Sequence, residues 1–406
     1  MRLVVVVWSG LASMVVGCKF PPPPDVPSDD GGGVDAPDDG AAEDASVDAT
    51  LPIVANNQPA DLVLGAADFV TAGRTGFSAI SVLPWGLATD GNVLWVNDRV
   101  RSRILGWEPL PTSNDQPANR VLGRPSLIDN SPADSISMAT VGEAWIWPTS
   151  DMLIVSDGMA NRLMIWDPPP TTNGERADRL VGQTSETATG GGYGPGQLRG
   201  PEGVWTDGTR LAVADTFNHR VLLWTSFPTT PTEAADVVLG QNGFNNPVLS
   251  PTDASAMAYP RKVLFDGTRL YVVDSLHHRV LIWYGLPTVN NQPASVVLGQ
   301  PDATSDSPGT GPGRMNEPRD IAVVGDALFV ADSLNNRVLV FKPIPSTTGA
   351  PATYVLGQPD LSSVVGNNPP PSQTNMSEPS ALAIAGNKLF VADLNRSRVL
   401  RFHINP

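Results

Sequence analysis

Charged and aromatic side chains of several types follow a proline that recurs along the chain. We consider eight residues at the two positions after this proline as candidate ligand contacts: Trp85, Trp145, Glu202, Arg261, Lys262, Arg319, Asp320 and Ser380. Cationic and carboxylate groups beside indole rings can hold a polar ligand through charge-assisted hydrogen bonds and stacking. Because the residue type changes from copy to copy, these side chains can form one specific site.

A second set of charges is the same in every copy, namely an aspartate followed five residues later by an arginine. The six pairs are Asp98 and Arg103, Asp157 and Arg162, Asp215 and Arg220, Asp274 and Arg279, Asp332 and Arg337, and Asp393 and Arg398. One active site does not need six copies, so we interpret the pairs as scaffold. We expect each aspartate to accept backbone N–H groups of the turn and each arginine to pair with it. Such a pair contributes about 0–1 kcal/mol when exposed, and more when buried and fully hydrogen-bonded.

Residues that usually carry catalysis or bind metal are scarce. Metal and acid–base chemistry commonly uses histidine, but the chain has only four histidines. Three of them occupy turn positions just before an arginine. The sequence holds no Gly-x-Ser-x-Gly elbow, no His-Glu-x-x-His motif and no Walker-type phosphate loop. The glycine-rich segment 190–196 has no following helix and is interpreted as a loop. We therefore predict no catalytic residue, no metal and no cofactor.

The elements that must position these residues are short strands repeated six times. Successive aspartates of the pairs are 59, 58, 59, 58 and 61 residues apart. Apolar residues alternate before each aspartate, as Leu328 and Val330 do, which is typical of a half-buried strand. All six copies place an aromatic residue four positions after the arginine, and these residues are Trp107, Trp166, Trp224, Trp283, Phe341 and Phe402. A large ring at one position in every copy indicates a layer of the core.

Four short antiparallel strands in each of six copies predict an all-β fold, a six-bladed β-propeller of four-stranded blades over residues 51–406. The last copy ends at Pro406 without its fourth strand, and a matching segment stands at the other end of the propeller, where 56–65 resembles 290–299. We therefore expect a strand at about 61–64 to pair within the last blade and close the ring. Closure removes the exposed edges that an open sheet would present.

The repeats resemble NHL repeats, most clearly in the segments 201–204, 211–222 and 328–338. The resemblance covers residues 51–406 and implies a six-bladed β-propeller. The repeat here is longer than is usual in that family, which implies extended loops. Zinc-dependent members resembling the amidating lyase use several inward-facing histidines, and that pattern is absent here. For function the resemblance implies little, because this fold serves protein-binding, RNA-binding and enzymatic proteins.

The first 17 residues predict an export signal, since Met1 and Arg2 precede an apolar run too short to span a bilayer. Residues 15–18 resemble a bacterial lipobox, which implies lipidation of Cys18, the only cysteine of the chain. The alternative is an ordinary signal peptide followed by a chance cysteine. Residues 18–50 hold nine acidic residues and one lysine among Pro, Gly and Ala, so we predict a disordered tether. These features predict a lipid-anchored protein of the bacterial cell envelope, with the outer membrane as the expected location.

The net charge of −15 argues against nucleic-acid binding, because phosphate contacts need a concentrated Lys/Arg surface. We expect a monomer that contacts the membrane only through its lipid. Two functions remain open for the channel mouth formed by the residues after the prolines. The favoured one is a non-enzymatic interaction module for a protein, peptide or glycan of the envelope. The alternative is a calcium-dependent hydrolase or lactonase with Glu202 and Asp320 as ligands, although calcium prefers six to eight oxygens and cations flank both carboxylates.

Overall fold

A computed structural model of the protein describes residues 52–129, 146–149, 151–245, 248–363 and 370–406. The predicted export signal, Cys18, the tether and Trp145 lie outside these ranges. Within the described residues the regular structure consists of β-strands and short 3₁₀ helices, and none of the helices is long and apolar enough to cross a membrane.

The strands form six antiparallel sheets of four strands each, the blades of a β-propeller. The chain enters the ring through β1 (Leu62–Leu64). Blade 1 contains β2 (Pro84–Thr89), β3 (Leu94–Asp98), β4 (Arg103–Trp107) and β5 (Arg120–Leu122). Blade 2 contains β6 (Ile146–Pro148), β7 (Leu153–Asp157), β8 (Arg162–Trp166) and β9 (Arg179–Val181). Blade 3 contains β10 (Pro201–Thr206), β11 (Leu211–Asp215), β12 (Arg220–Trp224) and β13 (Val237–Leu239).

The other three blades repeat the pattern from the innermost to the outermost strand. Blade 4 contains β14 (Pro260–Phe265), β15 (Arg269–Asp274), β16 (Arg279–Tyr284) and β17 (Val296–Leu298). Blade 5 contains β18 (Pro318–Val324), β19 (Ala327–Asp332), β20 (Arg337–Phe341) and β21 (Tyr354–Leu356). Blade 6 contains β22 (Pro379–Ala385), β23 (Lys388–Asp393) and β24 (Arg398–His403), and its outermost strand is β1.

The ring is closed within blade 6, as the repeat predicted. Strand β1 runs antiparallel to β24, with Leu62 opposite Arg401 and Leu64 opposite Val399. The backbone N–H of Asn57 also donates to the carbonyl of Val355 in blade 5, at 3.0 Å. Both ends of the propeller therefore belong to one sheet, and the predicted six-bladed architecture is confirmed.

The core lies between neighbouring blades. Because strand residues alternate in direction, Val96 and Leu105 of blade 1 pack toward blade 6, whereas Trp95 and Ile104 pack toward blade 2. The recurring aromatic residues are buried in these layers, and the indole N–H of Trp224, for example, donates to the carbonyl of a residue nine positions later at 3.0 Å. Burial of each large apolar side chain contributes about 1.5–3 kcal/mol, so the interblade layers stabilise the ring.

One face of the ring carries the starts of the innermost strands and also the 3₁₀ helices, because Pro318 lies opposite Asp332 in the register and Asp332 precedes a helix. We call it the mouth face. Its helices are Arg99–Arg101, Gly158–Ala160, Thr216–Asn218, Ser275–His277, Ser333–Asn335 and Leu394–Arg396. The loop after each outermost strand begins with a glycine at positive φ, such as Gly357 at 87°. A Cβ there would lie 2.8 Å from the Cγ of Met376, which explains why glycine recurs.

The six Asp–Arg pairs are buried links between strands and loops. The Nε–Oδ2 distance is 2.7–2.8 Å in five pairs and 3.1 Å between Arg162 and Asp157. In blade 5, the guanidinium of Arg337 also donates to three carbonyls, those of Leu361, Gly311 and Arg314, at 2.8–3.0 Å. Each arginine of this kind therefore ties its strand to the loops before and after its sheet.

Among the described residues, the aspartates accept side-chain groups of the following turn, such as Nδ2 of Asn335 on Asp332 at 2.8 Å, but not its backbone N–H groups, which corrects the sequence-based expectation. Oδ1 of Asp332 accepts the N–H of Asn316, two residues before the innermost strand, at 2.7 Å. The turn closes on its own backbone, since the N–H of Asn336 donates to the carbonyl of Ser333. Burial raises the pKa of Asp332 even though Arg337 opposes this shift. The carboxylate therefore depends on its arginine to remain ionised inside the protein.

Candidate functional site

The candidate ligand-binding residues stand where the innermost strands begin. Five of these strands show a register shift directly after their proline, for example between Pro201 and Val204 and between Pro318 and Asp320. A bulge of this kind bends the strand and redirects the side chains next to it. The side chains after the proline can therefore turn toward the central axis instead of following the alternation of the strand.

Trp85 of blade 1 lies at the centre of a group of cations. The guanidinium carbon of Arg99 lies 4.2 Å from the centroid of the indole ring, that of Arg319 5.2 Å and that of Arg261 5.9 Å. Arg261 and Arg319 come from blades 4 and 5, across the channel from blade 1. Each distance lies within the range of a cation–π contact, which contributes about 0.5–2 kcal/mol according to solvent exposure. The indole ring therefore joins opposite sides of the mouth.

Arg261 is anchored by Glu202 of the neighbouring blade. Its Nη1 donates to both carboxylate oxygens of Glu202 at 2.9 Å. Gly203, directly after the glutamate, lets the two innermost strands approach closely, because a Cβ there would lie 2.6 Å from the carbonyl oxygen of Arg261. Both side chains are largely buried, so the pair is fixed before any ligand arrives.

Arg319 is held much less completely. Its Nη2 reaches Oε2 of Glu378 at 3.3 Å, which is a long hydrogen bond. Its Nε and Nη1 are buried and have no hydrogen-bond partner among the described residues, and neither has the indole nitrogen of Trp85. Burial lowers the pKa of Arg319, and the nearby charge of Arg261 lowers it further. Three donors at the mouth therefore lack an acceptor within the described ranges of the chain.

The residues just named form one group, which we call the mouth cluster. It consists of Trp85, Arg99, Glu202, Arg261, Arg319 and Glu378. The sequence analysis missed Arg99 and Glu378. Arg99 follows an aspartate at a position that differs among the blades, and Glu378 immediately precedes a recurring proline. The criterion of variation between copies would have found Glu378 if applied to the residue before the proline, and Arg99 if applied to the residue after the recurring aspartate.

Lys262 and Asp320 lie one residue further along their strands and pair with each other. Lys262 Nζ is 3.3 Å from Asp320 Oδ1, and Asp320 also accepts the N–H groups of Ile321 and Leu382 at 2.8 Å. Burial raises the pKa of Asp320 to about 6, against the opposing effect of Lys262. Lys262 also lines a cavity of ≈ 160 Å³, whose other walls come from later positions of the innermost strands and are mostly apolar.

Ser380 does not join the mouth cluster. Its Oγ donates to the carbonyl of Pro84 at 3.2 Å and so links blades 6 and 1. Trp145 lies outside the described residues. Of the predicted ligand contacts, the structure therefore brings Trp85, Glu202, Arg261 and Arg319 together, and it places Lys262 and Asp320 as a pair beside them.

Two of the four histidines, His219 and His278, support loops on the mouth face. Nδ1 of His219 accepts the N–H of Tyr259 at 3.2 Å, and Nδ1 of His278 accepts the N–H of Glu317 at 3.0 Å. Burial lowers the pKa of both imidazoles. Among the described residues, no group of three or more His, Cys, Asp or Glu side chains is arranged to hold a metal ion. Glu202 and Asp320, the ligands of the calcium alternative, each face a cation and do not form a ligand set.

Comparison with known proteins supports the architecture. No protein-family model matches the sequence, and no curated protein is significantly similar to it. The chain is similar to the crystal structure of an auxiliary nutrient binding protein from Bacteroides ovatus, with a TM-score of 0.53, 12% sequence identity, and coverage of 86% of this chain and 77% of that chain.

Two further structures are less similar. An auxiliary nutrient binding protein from Bacteroides thetaiotaomicron matches with a TM-score of 0.49 at 12% identity, over 85% of this chain and 76% of that one. A streptogramin B lyase matches with a TM-score of 0.44 at 9% identity, over 80% of this chain and 94% of that one. At these identities the likeness concerns the fold, a β-propeller.

Proposed function

We propose that this protein is a non-enzymatic binding module of the bacterial cell envelope, which captures a protein, peptide or glycan at its mouth face. The mouth cluster carries the proposal. Four side chains of three types from four blades, Trp85, Glu202, Arg261 and Arg319, meet at one opening, although the Asp–Arg pairs of the scaffold recur in every blade. The repeated scaffold does not require different side chains at equivalent positions, whereas a specific binding site does.

The cluster is suited to binding because much of it is already fixed. The bifurcated contact of Arg261 Nη1 with both carboxylate oxygens of Glu202 holds one guanidinium in place, so ordering it costs little when a ligand arrives. Hydrogen bonds to charged groups contribute about 1.5–3 kcal/mol each. The Bacteroides ovatus neighbour is named as a nutrient binding protein, a role of the same general class.

The leader and the tether complete the proposal. Lipidation of Cys18 would fix the chain to a membrane, and the acidic, proline-rich residues 18–50 would hold an NHL-type propeller away from that anionic surface. We place the protein at the outer membrane. Mass spectrometry of the intact protein should find a lipidated Cys18 at the mature N-terminus. Cleavage elsewhere, or an unmodified Cys18, would contradict the anchor without affecting the proposed binding site.

The binding role is tested by capture of envelope components. Full-length protein in detergent is cross-linked to membrane extract from its source cells, and the partners are identified by mass spectrometry. Joint replacement of Glu202→Gln, Arg261→Met and Arg319→Met should remove the partner, and removing both members of the Arg261–Glu202 pair avoids leaving a lone buried charge. Val289→Ser, an exposed apolar position on the opposite face, is the control. Equal capture by the triple variant and the control would refute the mouth as the binding site.

A further inference from the structure

An apolar ring surrounds the mouth cluster. The middle residue of the 3₁₀ helix is apolar in five blades, and we call these residues the collar: Val100, Met159, Phe217, Leu276 and Leu334. The side chains of the first four are exposed by 71%, 61%, 40% and 40%, respectively. Blade 6 has Asn395 at this position. The core does not require exposed apolar groups at a turn, so their recurrence on one face indicates a contact surface.

The collar borders the mouth cluster directly. Arg99, the residue before Val100 in the first 3₁₀ helix, reaches the ring of Trp85 at 4.2 Å. Nine of the eleven large apolar side chains that are exposed among the described residues lie in these turns or in the loops of the mouth face. The other two, Tyr284 and Val289, lie at the opposite end of the blades.

We propose that the partner is a polypeptide segment that places a carboxylate against Arg319 and Trp85 and rests apolar side chains on the collar. This inference depends on the proposed function and names the ligand class of the same site. Arg319 Nε and Nη1 and Trp85 Nε1, which have no partner within the part of the chain that the structure describes, are all donors, so the group that enters must be an acceptor. An anion fits best, because guanidinium groups bind carboxylates strongly in a site shielded from water.

The collar selects a polypeptide over a glycan. The collar side chains, four aliphatic and one phenyl ring, offer no strong hydrogen-bonding atoms, so a hydroxyl-rich sugar laid on them would lose contacts with water that the protein does not replace. Leucine, valine or phenylalanine side chains of a peptide lose nothing of this kind and bury apolar area. The protein carries a net charge of −15, which disfavours binding of an acidic segment to most of its surface. The cationic mouth is therefore the favoured place for such a segment.

The test selects a random peptide library on the full-length protein in detergent. Enriched peptides are then synthesised in three forms: unmodified, with Glu and Asp changed to Gln and Asn, and with an amidated C-terminus. We expect acidic residues or a free C-terminus beside apolar residues, and an affinity loss of about tenfold or more when the relevant carboxylate is neutralised. The two modified forms show whether that carboxylate belongs to a side chain or to the chain end.

Protein variants assign the contacts. Arg319→Met should weaken binding of the acidic peptide about tenfold or more and should leave the neutralised peptide unaffected, as a double-mutant cycle requires. Leu276→Asp places a negative charge on the exposed collar and should weaken the acidic peptide several-fold without a core change. Val289→Ser is the matched control and should bind as the unmodified protein does.

The inference is overturned if enriched peptides lack a carboxylate, if Arg319→Met and Leu276→Asp both leave their affinity unchanged, or if only uronic-acid oligosaccharides bind. Its failure differs from failure of the proposed function. If the triple variant loses its envelope partner while no acidic peptide is selected, the ligand class is wrong and the binding role stands. If the triple variant keeps its partner, the mouth is not the binding site.

Discussion

Arg337→Met tests whether the buried Asp–Arg pairs hold the propeller together. Arg337 and Asp332 are completely buried, and the guanidinium donates to Asp332 at 2.7 Å and to three loop carbonyls at 2.8–3.0 Å. Removing one partner of a buried ion pair costs about 3–5 kcal/mol, because the remaining carboxylate must either stay charged without compensation or take up a proton. Three lost hydrogen bonds add about 1 kcal/mol each. We therefore expect a loss of about 6–8 kcal/mol.

The melting temperature measures this loss. For a propeller of this size, about 0.7 kcal/mol corresponds to roughly 1 °C, so Arg337→Met should lower the Tm by roughly 10 °C. Arg176→Met is the control, because Arg176 pairs with Glu186 at 2.8 Å while both side chains are about half exposed. An exposed pair contributes about 0–1 kcal/mol, so the control should shift the Tm by roughly 1 °C or less.

A double variant separates charge burial from the lost hydrogen bonds. Asp332→Asn combined with Arg337→Met removes the lone carboxylate, so it should recover several degrees relative to Arg337→Met alone. Equal Tm values for Arg337→Met and Arg176→Met would refute the proposed role of the pairs. A double variant no more stable than the single one would show that the unpaired charge is not the main cost.

Two further predictions concern pH. His219 and His278 have lowered pKa values and accept backbone N–H groups, so their stabilisation is present above about pH 6.5 and is lost as the pH falls through their folded-state pKa values. Asparagine can replace both histidines, because Oδ1 of Asn161 accepts the N–H of Gly200 in the same way. The double variant should show a smaller fall in Tm between pH 7 and pH 5 than the unmodified protein, and an equal fall would contradict the prediction. The effect of Asp320 on the pH dependence of stability has the opposite sign, because burial raises its pKa to about 6. The free energy of unfolding should therefore decrease by up to about 3 kcal/mol as the pH rises from about 4 through 6. In urea unfolding at pH 4 and pH 7.5, Lys262→Met with Asp320→Asn should abolish this decrease, and persistence of the full slope would refute the assignment to Asp320.

The architecture could be predicted from the sequence because the same local rules act six times. Alternating apolar residues, the Asp–Arg spacing and the turn glycine each specify one step of a blade, and repetition makes chance agreement negligible. The matching segment before the first complete copy predicted that β1 joins blade 6, and the pairing of Leu64 with Val399 confirms it. The backbone donor to Asp332 was predicted wrongly, because the N–H group that Asp332 accepts belongs to a loop 16 residues earlier in the chain and not to the adjacent turn.

The contents of the mouth cluster could be predicted only in part. Variation among the copies identified Trp85, Arg261 and Arg319, but it does not say which side chains pair. The pairs follow a rule that the ring makes visible: a charge next to the proline of one blade pairs with a charge next to the proline of the neighbouring blade, as Glu202 does with Arg261 and Arg319 with Glu378. Glu202 and Arg261 stand at equivalent positions, 59 residues apart, whereas Arg319 follows its proline and Glu378 precedes the proline of the next blade, where the repeat length is 61 residues. Arg99 escapes the rule because it reaches the mouth from a turn of its own blade.

The backbone just before the innermost strands gives an independent reason to regard the mouth as functional. The residue before the proline has positive φ in four blades, and blade 3 meets this requirement with Gly200 at 55°. The other three blades place Tyr259, Glu317 and Glu378 there, at 54°, 46° and 50°. Left-handed backbone costs a residue with a side chain about 1–2 kcal/mol, and glycine would avoid this cost. The N–H of Glu378 donates to Oδ1 of Asn336 at 2.9 Å, a bond that glycine could also make, and its carboxylate adds a long contact with Arg319. Stability alone therefore does not account for a carboxylate at that position, whereas restraint of Arg319 for the proposed ligand would.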